Sequence, residues 1–322
     1  MTTSTYLVFG GTGNVGRRVA ARLARAGARV RATTRRPREA DLPAGVEAVL
    51  PDLAAPGVLD GVTAAFLMWP FHSERPARPI VDALARATRR VVFMTGGGVR
   101  PGLAPHEQPT PLARRHAAVE DRIERSGLEW TILSPSTFMA NTLWWRGQIR
   151  AGDTVRGAYG SLVMTPIHED DIAAVAVRAL TEPGHAGRRY ELTGPQALTQ
   201  AEQVRAIGEG IGRPLRWQEL PPREERARLL ADPSFPAAFA DELLDGYAAM
   251  AAAPAPAVTG TVQELTGTAP ATLREWAAEH AAAFAPPGAG GGDRGQPGVD
   301  PFTGTAAPRS SGRRSSMPRW RA

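Results

Sequence analysis

Gly10-Gly11-Thr12-Gly13-Asn14-Val15-Gly16 has the residue types and spacing of a phosphate-binding turn. The stretch holds Gly10-x-x-Gly13-x-x-Gly16, directly after the apolar run Tyr6–Phe9 and directly before a helical pattern over Val15–Ala26. Glycine permits a tight strand-to-helix turn and lets the backbone approach a pyrophosphate, and the last glycine lets helix and strand pack closely. The helix N-terminus adds free N–H groups and a partial positive charge. In this strand–loop–helix setting the motif predicts dinucleotide binding. The competing reading is a glycine-rich turn without a ligand.

A second chemical set follows the second apolar run, which ends Val30-Arg31-Ala32-Thr33-Thr34-Arg35-Arg36-Pro37. NAD-selective sites place an acid here for the ribose 2′-hydroxyl, and this chain has none. Thr34, Arg35 and Arg36 stand there instead, and arginine pairs with a 2′-phosphate through a planar, charge-assisted fork. The expected cofactor is therefore NADP(H), against a solvated arginine loop as the alternative. Asp52, after the third run, is either an acceptor for the adenine amino group or the cap of the next turn. Trp69-Pro70-Phe71-His72 follows the fourth run. Trp69 and Pro70 are candidates for the cofactor side, Phe71 and His72 for the substrate side, with core packing as the other possibility for the aromatics.

The composition closes other routes. There is no cysteine, and all 38 basic residues are arginine. Thiolate nucleophiles, disulfides, cysteine metal sites, lysine Schiff bases and Walker-type lysines are excluded. The absence of cysteine fits a reducing cytoplasm. The net charge is +6. Residues 286–322 contain six arginines and two acids, a net +4, which leaves +2 for residues 1–285. The body is nearly neutral and carries no DNA-reading element, so direct nucleic-acid binding is not expected. No apolar run reaches the roughly 20 residues of a membrane helix, and no signal peptide is expected.

The elements that position these residues alternate over the first 135 positions. Strand-like runs lie at Tyr6–Phe9, Ala28–Thr33, Val46–Leu50, Ala64–Trp69, Val91–Thr95 and Trp130–Ser134. Helical patterns lie between them at Val15–Ala26, Ile80–Ala87 and Leu112–Ser126. Strands that read as continuous apolar runs imply a parallel sheet covered on both faces. The expected fold class is α/β, a Rossmann-type doubly wound parallel sheet with a smaller, mostly helical C-terminal substrate domain. Residues 1–135, with about 166–180, form the expected dinucleotide domain; 136–165 and 181–285 form the substrate domain. Further helices are expected at Asp170–Leu180, Thr199–Gly210, Arg223–Leu230, Ala237–Met250 and Thr272–Phe284. Thr199 and Glu202 have capping-box spacing. Residues 286–322, rich in Gly, Pro, Ser and Arg, are expected to be a disordered basic tail. His168-Glu169-Asp170-Asp171 reads as an acidic helix start and not as a metal cluster.

The chain resembles the NmrA-like, atypical short-chain dehydrogenase/reductase group, in particular its NAD(P)H-dependent quinone-reductase-like bacterial members. The resemblance covers about residues 5–285. It rests on Val8-Phe9-Gly10-Gly11-Thr12-Gly13-Asn14-Val15-Gly16-Arg17, His116-x-x-x-Glu120, Ser126-Gly127-Leu128-Glu129-Trp130-Thr131-Ile132-Leu133 and Phe138-Met139-x-Asn141. Asp171-Ile172-Ala173, Tyr190-Glu191-Leu192-Thr193-Gly194-Pro195, Ile211-Gly212-Arg213-Pro214 and Gly267…Leu273-x-x-Trp276-Ala277 add to it. Ordinary short-chain dehydrogenases use a Tyr-x-x-x-Lys pair. The resemblance sets Leu112 and His116 in those places, and a chain without lysine cannot form the pair. Thr95 falls about where the family's relatives carry a catalytic serine, and Pro135 joins the cofactor-side residues.

This departure directs the functional expectation toward substrates that accept hydride with little acid assistance: quinones, enones, iminium ions or aromatic natural-product intermediates. His116 is the candidate catalytic acid, with ribose contact or helix packing as alternatives. Phe138, Met139, Asn141, Trp144 and Trp145 are candidate substrate-wall residues, the two tryptophans serving either to stack a planar ligand or as core or dimer contacts. The expected activity is an NADPH-dependent oxidoreductase of a planar, electron-poor small molecule, working as a monomer or homodimer without membrane attachment. Two alternatives stay open: a non-catalytic NADP(H)-sensing regulator, and a non-redox cyclase or epimerase that keeps the cofactor.

Overall fold

The computed structural model describes residues 4–71, 73–96, 98–232, 235 and 237–286. His72 and all of the basic tail except the exposed Pro286 lie outside these residues. The described chain divides into two compact units, one of residues 4–135 and 172–191, the other of 136–171 and 192–286.

The first unit opens with β1 (Thr5–Val8), α1 (Asn14–Arg25), β2 (Arg29–Thr33), β3 (Val46–Val49) and β4 (Val62–Met68). It continues with α2 (Ala77–Ala87), β5 (Arg90–Met94), α3 (Pro111–Glu124) and β6 (Glu129–Pro135). All six strands and three helices fall within a few residues of the runs read from sequence. The pairs β2–β3, β1–β2, β1–β4, β4–β5 and β5–β6 are parallel. The spatial order is β3-β2-β1-β4-β5-β6, so strand order reverses between β1 and β4, where open α/β sheets bind their ligands. Helix spacing explains the packing of α1: Val15, Val19, Ala20 and Leu23 share one face and are buried. Leu7, Leu67, Phe93 and Ile132 from the strands meet Ile80, Val81 and Leu84 of α2 and Val119 and Ile123 of α3 in one core.

The next elements are α4 (Arg146–Ala151), β7 (Thr154–Gly157), β8 (Val163–Met164), α5 (Glu169–Thr181) and β9 (Arg188–Leu192). Strand β9 adjoins β6 as the seventh strand of the large sheet. The expected division assigned 181–191 to the substrate domain, and here those residues stay with the first unit. Hydrogen bonds give the reason. Gly187 N donates to Trp130 O at 2.8 Å, and Thr131 Oγ1 donates to His185 O at 2.8 Å. The Arg90 guanidinium donates to Leu180 O at 3.0 Å and Glu182 O at 2.7 Å.

The chain ends with β10 (Leu198–Thr199), α6 (Gln200–Gly210), β11 (Arg216–Glu219), α7 (Pro222–Ala231), α8 (Ala240–Ala251), α9 (Thr261–Thr266), α10 (Leu273–Glu279) and α11 (Ala281–Phe284). The second unit contains two small pairings absent from the sequence reading, β7 with β11 in parallel and β8 with β10 antiparallel. Its core gathers Met139, Ile149, Val155, Val204, Ile207, Trp276 and Phe284. Thr199 caps α6 as its spacing predicts: its hydroxyl accepts from Glu202 N at 3.1 Å, and Glu202 Oε2 accepts from Thr199 N at 2.8 Å. The expected helix over Thr272–Phe284 is two helices joined at His280, whose ring stacks on Trp276 with centroids 4.2 Å apart. Among the described residues no helix is long and apolar enough to cross a membrane.

Candidate functional site

Apolar β1 delivers the chain to Gly10, which turns with φ +70°. A Cβ at Gly10 would sit 2.4 Å from Met68 Cε, and one at Gly16 would sit 2.3 Å from the Gly10 carbonyl oxygen. A Cβ at Gly11 would meet Ala32 Cβ at 2.4 Å. Gly11 and Gly16 therefore exclude a side chain because Ala32 and the loop's own backbone occupy the space, while at Gly10, where the Met68 tip can swing aside, it is the positive φ that favours glycine. Gly13 stands at the N-cap of α1 and supplies no side-chain cap, so the first-turn N–H groups are left to a ligand or water. Gly11 N and Gly13 N are already used, donating to Thr33 O at 3.2 Å and Gly10 O at 2.9 Å. A cradle made of backbone at an uncapped helix start fits a pyrophosphate, with Thr12 exposed and Asn14 and Val15 opening the helix.

At the end of β2 the Thr34 hydroxyl accepts from Arg36 N at 3.3 Å and shapes the turn. Arg36 is ion-paired with Glu39 at 3.3 Å. Arg35 is exposed and has no ion pair among the described residues. The two arginines are thus unequal, and Arg35 is the one whose charge is uncommitted. Asp52 uses Oδ1 to accept Ala54 N at 3.0 Å, so its turn-capping role is present in the structure.

The aromatics after β4 are less open. Trp69 is 2% exposed and packs in the core, and its indole N–H donates to Ser73 O at 3.1 Å. The Trp69 ring is therefore a core element, tied to the following loop through its indole N–H. Phe71, partly buried, meets Trp69 edge to face at 4.8 Å. Pro70 is partly buried beside it.

Behind the end of β5, α3 presents two side chains one turn apart. His116 is 7% exposed, stacks on Phe93 at 6.0 Å and lies against Gly96. Its Nδ1 is buried with no hydrogen-bond partner. Burial, and then the neighbouring Arg115 charge, lower its pKa to about 4. The sequence expectation of an acid titrating near neutrality is corrected here: the ring is neutral at pH 7 because burial disfavours the imidazolium. Glu120, 2% exposed, accepts from the Thr95 hydroxyl through Oε1. Its Oε2 accepts from Arg189 at 2.6 Å, and Arg189 also reaches Glu124 at 2.6 Å. Thr95 is itself buried and joins the ladder by donating its backbone N–H to Leu133 O at 2.9 Å. The motif His116-x-x-x-Glu120 by itself assigns Glu120 no role, although the four-residue offset puts both residues on one helix face. Arg189 carries no sequence signal of its own.

In the second unit, Met139 has no exposed surface and lies in the core. Trp145 packs on Trp217 at 5.8 Å in that same core. Trp144 turns elsewhere, edge-on to Phe235 and Phe239 at 5.8 and 5.9 Å. The segment Met139–Trp145 is a 3₁₀ helix, in which successive residues diverge by about 120°. The two tryptophans therefore do not form one stacking platform, though both stay partly exposed, and the fully buried Met139 is a packing residue, not a wall residue. Phe138 and Asn141 remain partly exposed. The acidic helix start is tied into packing. His168 Nδ1 accepts from Asp170 N, so its Nε2 carries the hydrogen facing Glu279 at 3.2 Å. Glu169 accepts from Ala140 N at 2.8 Å and from the Trp276 indole at 3.3 Å.

Comparison with known proteins places this architecture. Residues 10–183 match the model of a family described as NAD(P)H-binding. A (4-alkanoyl-5-oxo-2,5-dihydrofuran-3-yl)methyl phosphate reductase of Streptomyces griseus subsp. griseus is 39% identical over 87% of this chain and 99% of its own length. An NAD(P)H azoreductase of Xenophilus azovorans is 33% identical over 86% of this chain and 98% of its own. An Escherichia coli NADPH-dependent quinone oxidoreductase, solved with NADPH, superposes with TM-score 0.71 at 24% identity over 86% of this chain and 99% of its own, a likeness of fold. With the glycine cradle at the strand reversal and the Tyr/Lys pair replaced, the chain belongs to the NAD(P)H-binding family and to its atypical, NmrA-like short-chain dehydrogenase/reductase type.

Proposed function

We propose that the protein is an NADPH-dependent reductase of electron-poor conjugated small molecules, and that alkenes flanked by two carbonyl groups are its best substrates. The observation that carries this reading is the make-up of α3: the chain has no lysine, and the resemblance sets Leu112 and the buried His116 where the Tyr/Lys pair would be. A substrate that needs a strong acid at the moment of hydride arrival is poorly served by such residues. An alkanoyl-butenolide phosphate, the substrate class in the name of the Streptomyces griseus relative, needs none. Hydride would add to the ring carbon bearing the phosphomethyl group. The electron pair of the carbon–carbon double bond would move to the next carbon, shared by the lactone and alkanoyl carbonyls, and water would return the proton there. Quinones meet the same requirement.

Bound NADPH supplies the hydride. The glycine loop and the α1 N-terminus would hold its pyrophosphate, Arg35 its 2′-phosphate, and the groups behind β5 its nicotinamide side. Phe138 and Asn141 remain candidate substrate contacts. The absence of cysteine fits work in a reducing cytoplasm.

The test is NADPH oxidation followed with an acyl-butenolide phosphate, a quinone, an azo dye and an unactivated ketone. Turnover of the conjugated compounds and none of the ketone is expected. Tight NADPH binding with no turnover of any compound overturns the reading in favour of an NADP(H)-sensing protein. Product formation without NADPH consumption overturns it in favour of a cyclase or epimerase.

A further inference from the structure

Thr95 is the first residue after β5, two strands from β1 across the reversal of strand order. A threonine hydroxyl has one proton and two lone pairs. Here the proton is committed, because Oγ1 donates to Glu120 Oε1. Glu120 cannot return the favour. Its carboxylate is paired with Arg189 at 2.6 Å, and an ion-paired carboxylate only accepts. Arg189 is held in turn, by Glu124 at 2.6 Å and over the Trp130 ring at 6.0 Å. The chain Glu124–Arg189–Glu120–Thr95 thus fixes the direction of a buried hydroxyl. It is closed as a donor and open as an acceptor, and no group among the described residues donates to it.

We propose that Thr95 is an acceptor anchor for a hydrogen-bond donor on the nicotinamide nucleoside, its carboxamide N–H or a ribose O–H, and that Glu120 is the positioning residue that sets the hydroxyl's polarity. This inverts the role expected from the family's serine, which would donate to substrate. It rests on the cofactor assignment and is independent of the substrate class proposed above.

The test is equilibrium binding of NADPH and of the reduced 3-acetylpyridine analogue, in which a methyl group replaces the amide nitrogen. Thr95→Val is nearly isosteric and removes the hydroxyl. Its affinity for NADPH falls about tenfold, while Thr95→Ser stays within about twofold of wild type. A loss confined to NADPH identifies the carboxamide as the donor, and an equal loss for both ligands identifies a ribose hydroxyl. In Glu120→Gln the amide oxygen is required by Arg189, so the amide N–H₂ faces Thr95 and turns its proton outward. NADPH affinity then falls at least as far as in Thr95→Val. In the double variant the Glu120 change adds nothing, because the hydroxyl through which it acts is gone. Two results overturn the proposal: Thr95→Val within about twofold of wild type for both ligands, or an undiminished Glu120→Gln penalty in the Thr95→Val background. Thr95→Val carries the test alone if Glu120→Gln does not fold, and binding is read without any substrate, so a failed reductase assay leaves it intact.

Discussion

The loop after β1 and the cluster behind β5 flank the same reversal in strand order and are built by opposite means. The loop is backbone: glycines packed against Met68, Ala32 and the Gly10 carbonyl, with no side chain capping α1. The cluster is side chain: a hydroxyl, two carboxylates and a guanidinium whose charges answer one another. Gly11 and Gly16 cannot accept an added carbon, and the cluster cannot lose a charge. Binding of the diphosphate and direction of the nicotinamide side should therefore fail by different mutations.

The largest effect belongs to the loop. Gly16→Val puts a branched carbon where Gly10 O stands 2.3 Å and Phe9 O 3.1 Å from the Cβ position. These are backbone atoms that cannot swing aside, so NADPH affinity should fall at least ~100-fold in titration. Thr12→Ala, on the exposed part of the same loop, should cost far less. Comparable losses would mean that the loop works through its side chains and would erase the contrast.

Next comes Glu120→Ala, which leaves Thr95 unpaired and Arg189 with Glu124 alone. Breaking a buried pair from one side costs about 3–5 kcal/mol, and the partial exposure of Arg189 favours the lower end. Urea unfolding at pH 7 checks this, and a loss below ~1 kcal/mol would show that the cluster is not a structural unit.

His116, one turn away on α3, sharpens the same comparison by pH. Its folded pKa of about 4 lies below the unfolded 6.5. Above pH 6.5 neither state binds its proton and its contribution is complete. Between 6.5 and 4 the unfolded chain takes up a proton that the folded chain refuses, so stability falls as pH falls, by up to about 3 kcal/mol. His116→Gln should flatten that interval in a series of denaturation curves; an unchanged slope would mean that the ring is charged or solvated in the fold. The smallest expected effect is at Arg35. Arg35→Ala should lower NADPH affinity about tenfold and leave NADH within about twofold. Equal losses for both would remove the 2′-phosphate assignment.

What was legible in the sequence follows the same divide. The cradle could be read because backbone function needs glycine, and glycine spacing between an apolar run and a helical pattern is visible in one dimension. The parallel strands were visible because burial on both faces makes them continuously apolar, and α6 because its cap is local. Behind β5 the spacing of His116 and Glu120 was visible, but burial of the first and the partner of the second were not. Arg189 arrives from a strand 69 residues away in sequence. The pairing of β9 with β6 is not legible, since nothing in Tyr190-Glu191-Leu192 names β6, and the expected division sets 181–191 in the substrate domain. The tryptophan pair misled for a different reason. Adjacency suggests a shared platform, and the 3₁₀ backbone sends Trp145 onto Trp217 and Trp144 onto Phe235 and Phe239.

The place of β9 has a consequence for the order in which the molecule is made. β6 ends at Pro135, and its outer neighbour ends at Leu192. At 5–20 residues per second, a ribosome needs roughly 3–11 s to cover that interval. For those seconds β6 is an edge strand with unpaired backbone groups and the apolar run Thr131-Ile132-Leu133, the kind of edge to which other chains add. A nascent chain stalled in the second unit would thus be a hazard to its neighbours, and chaperone binding during synthesis should peak before residue 192 emerges.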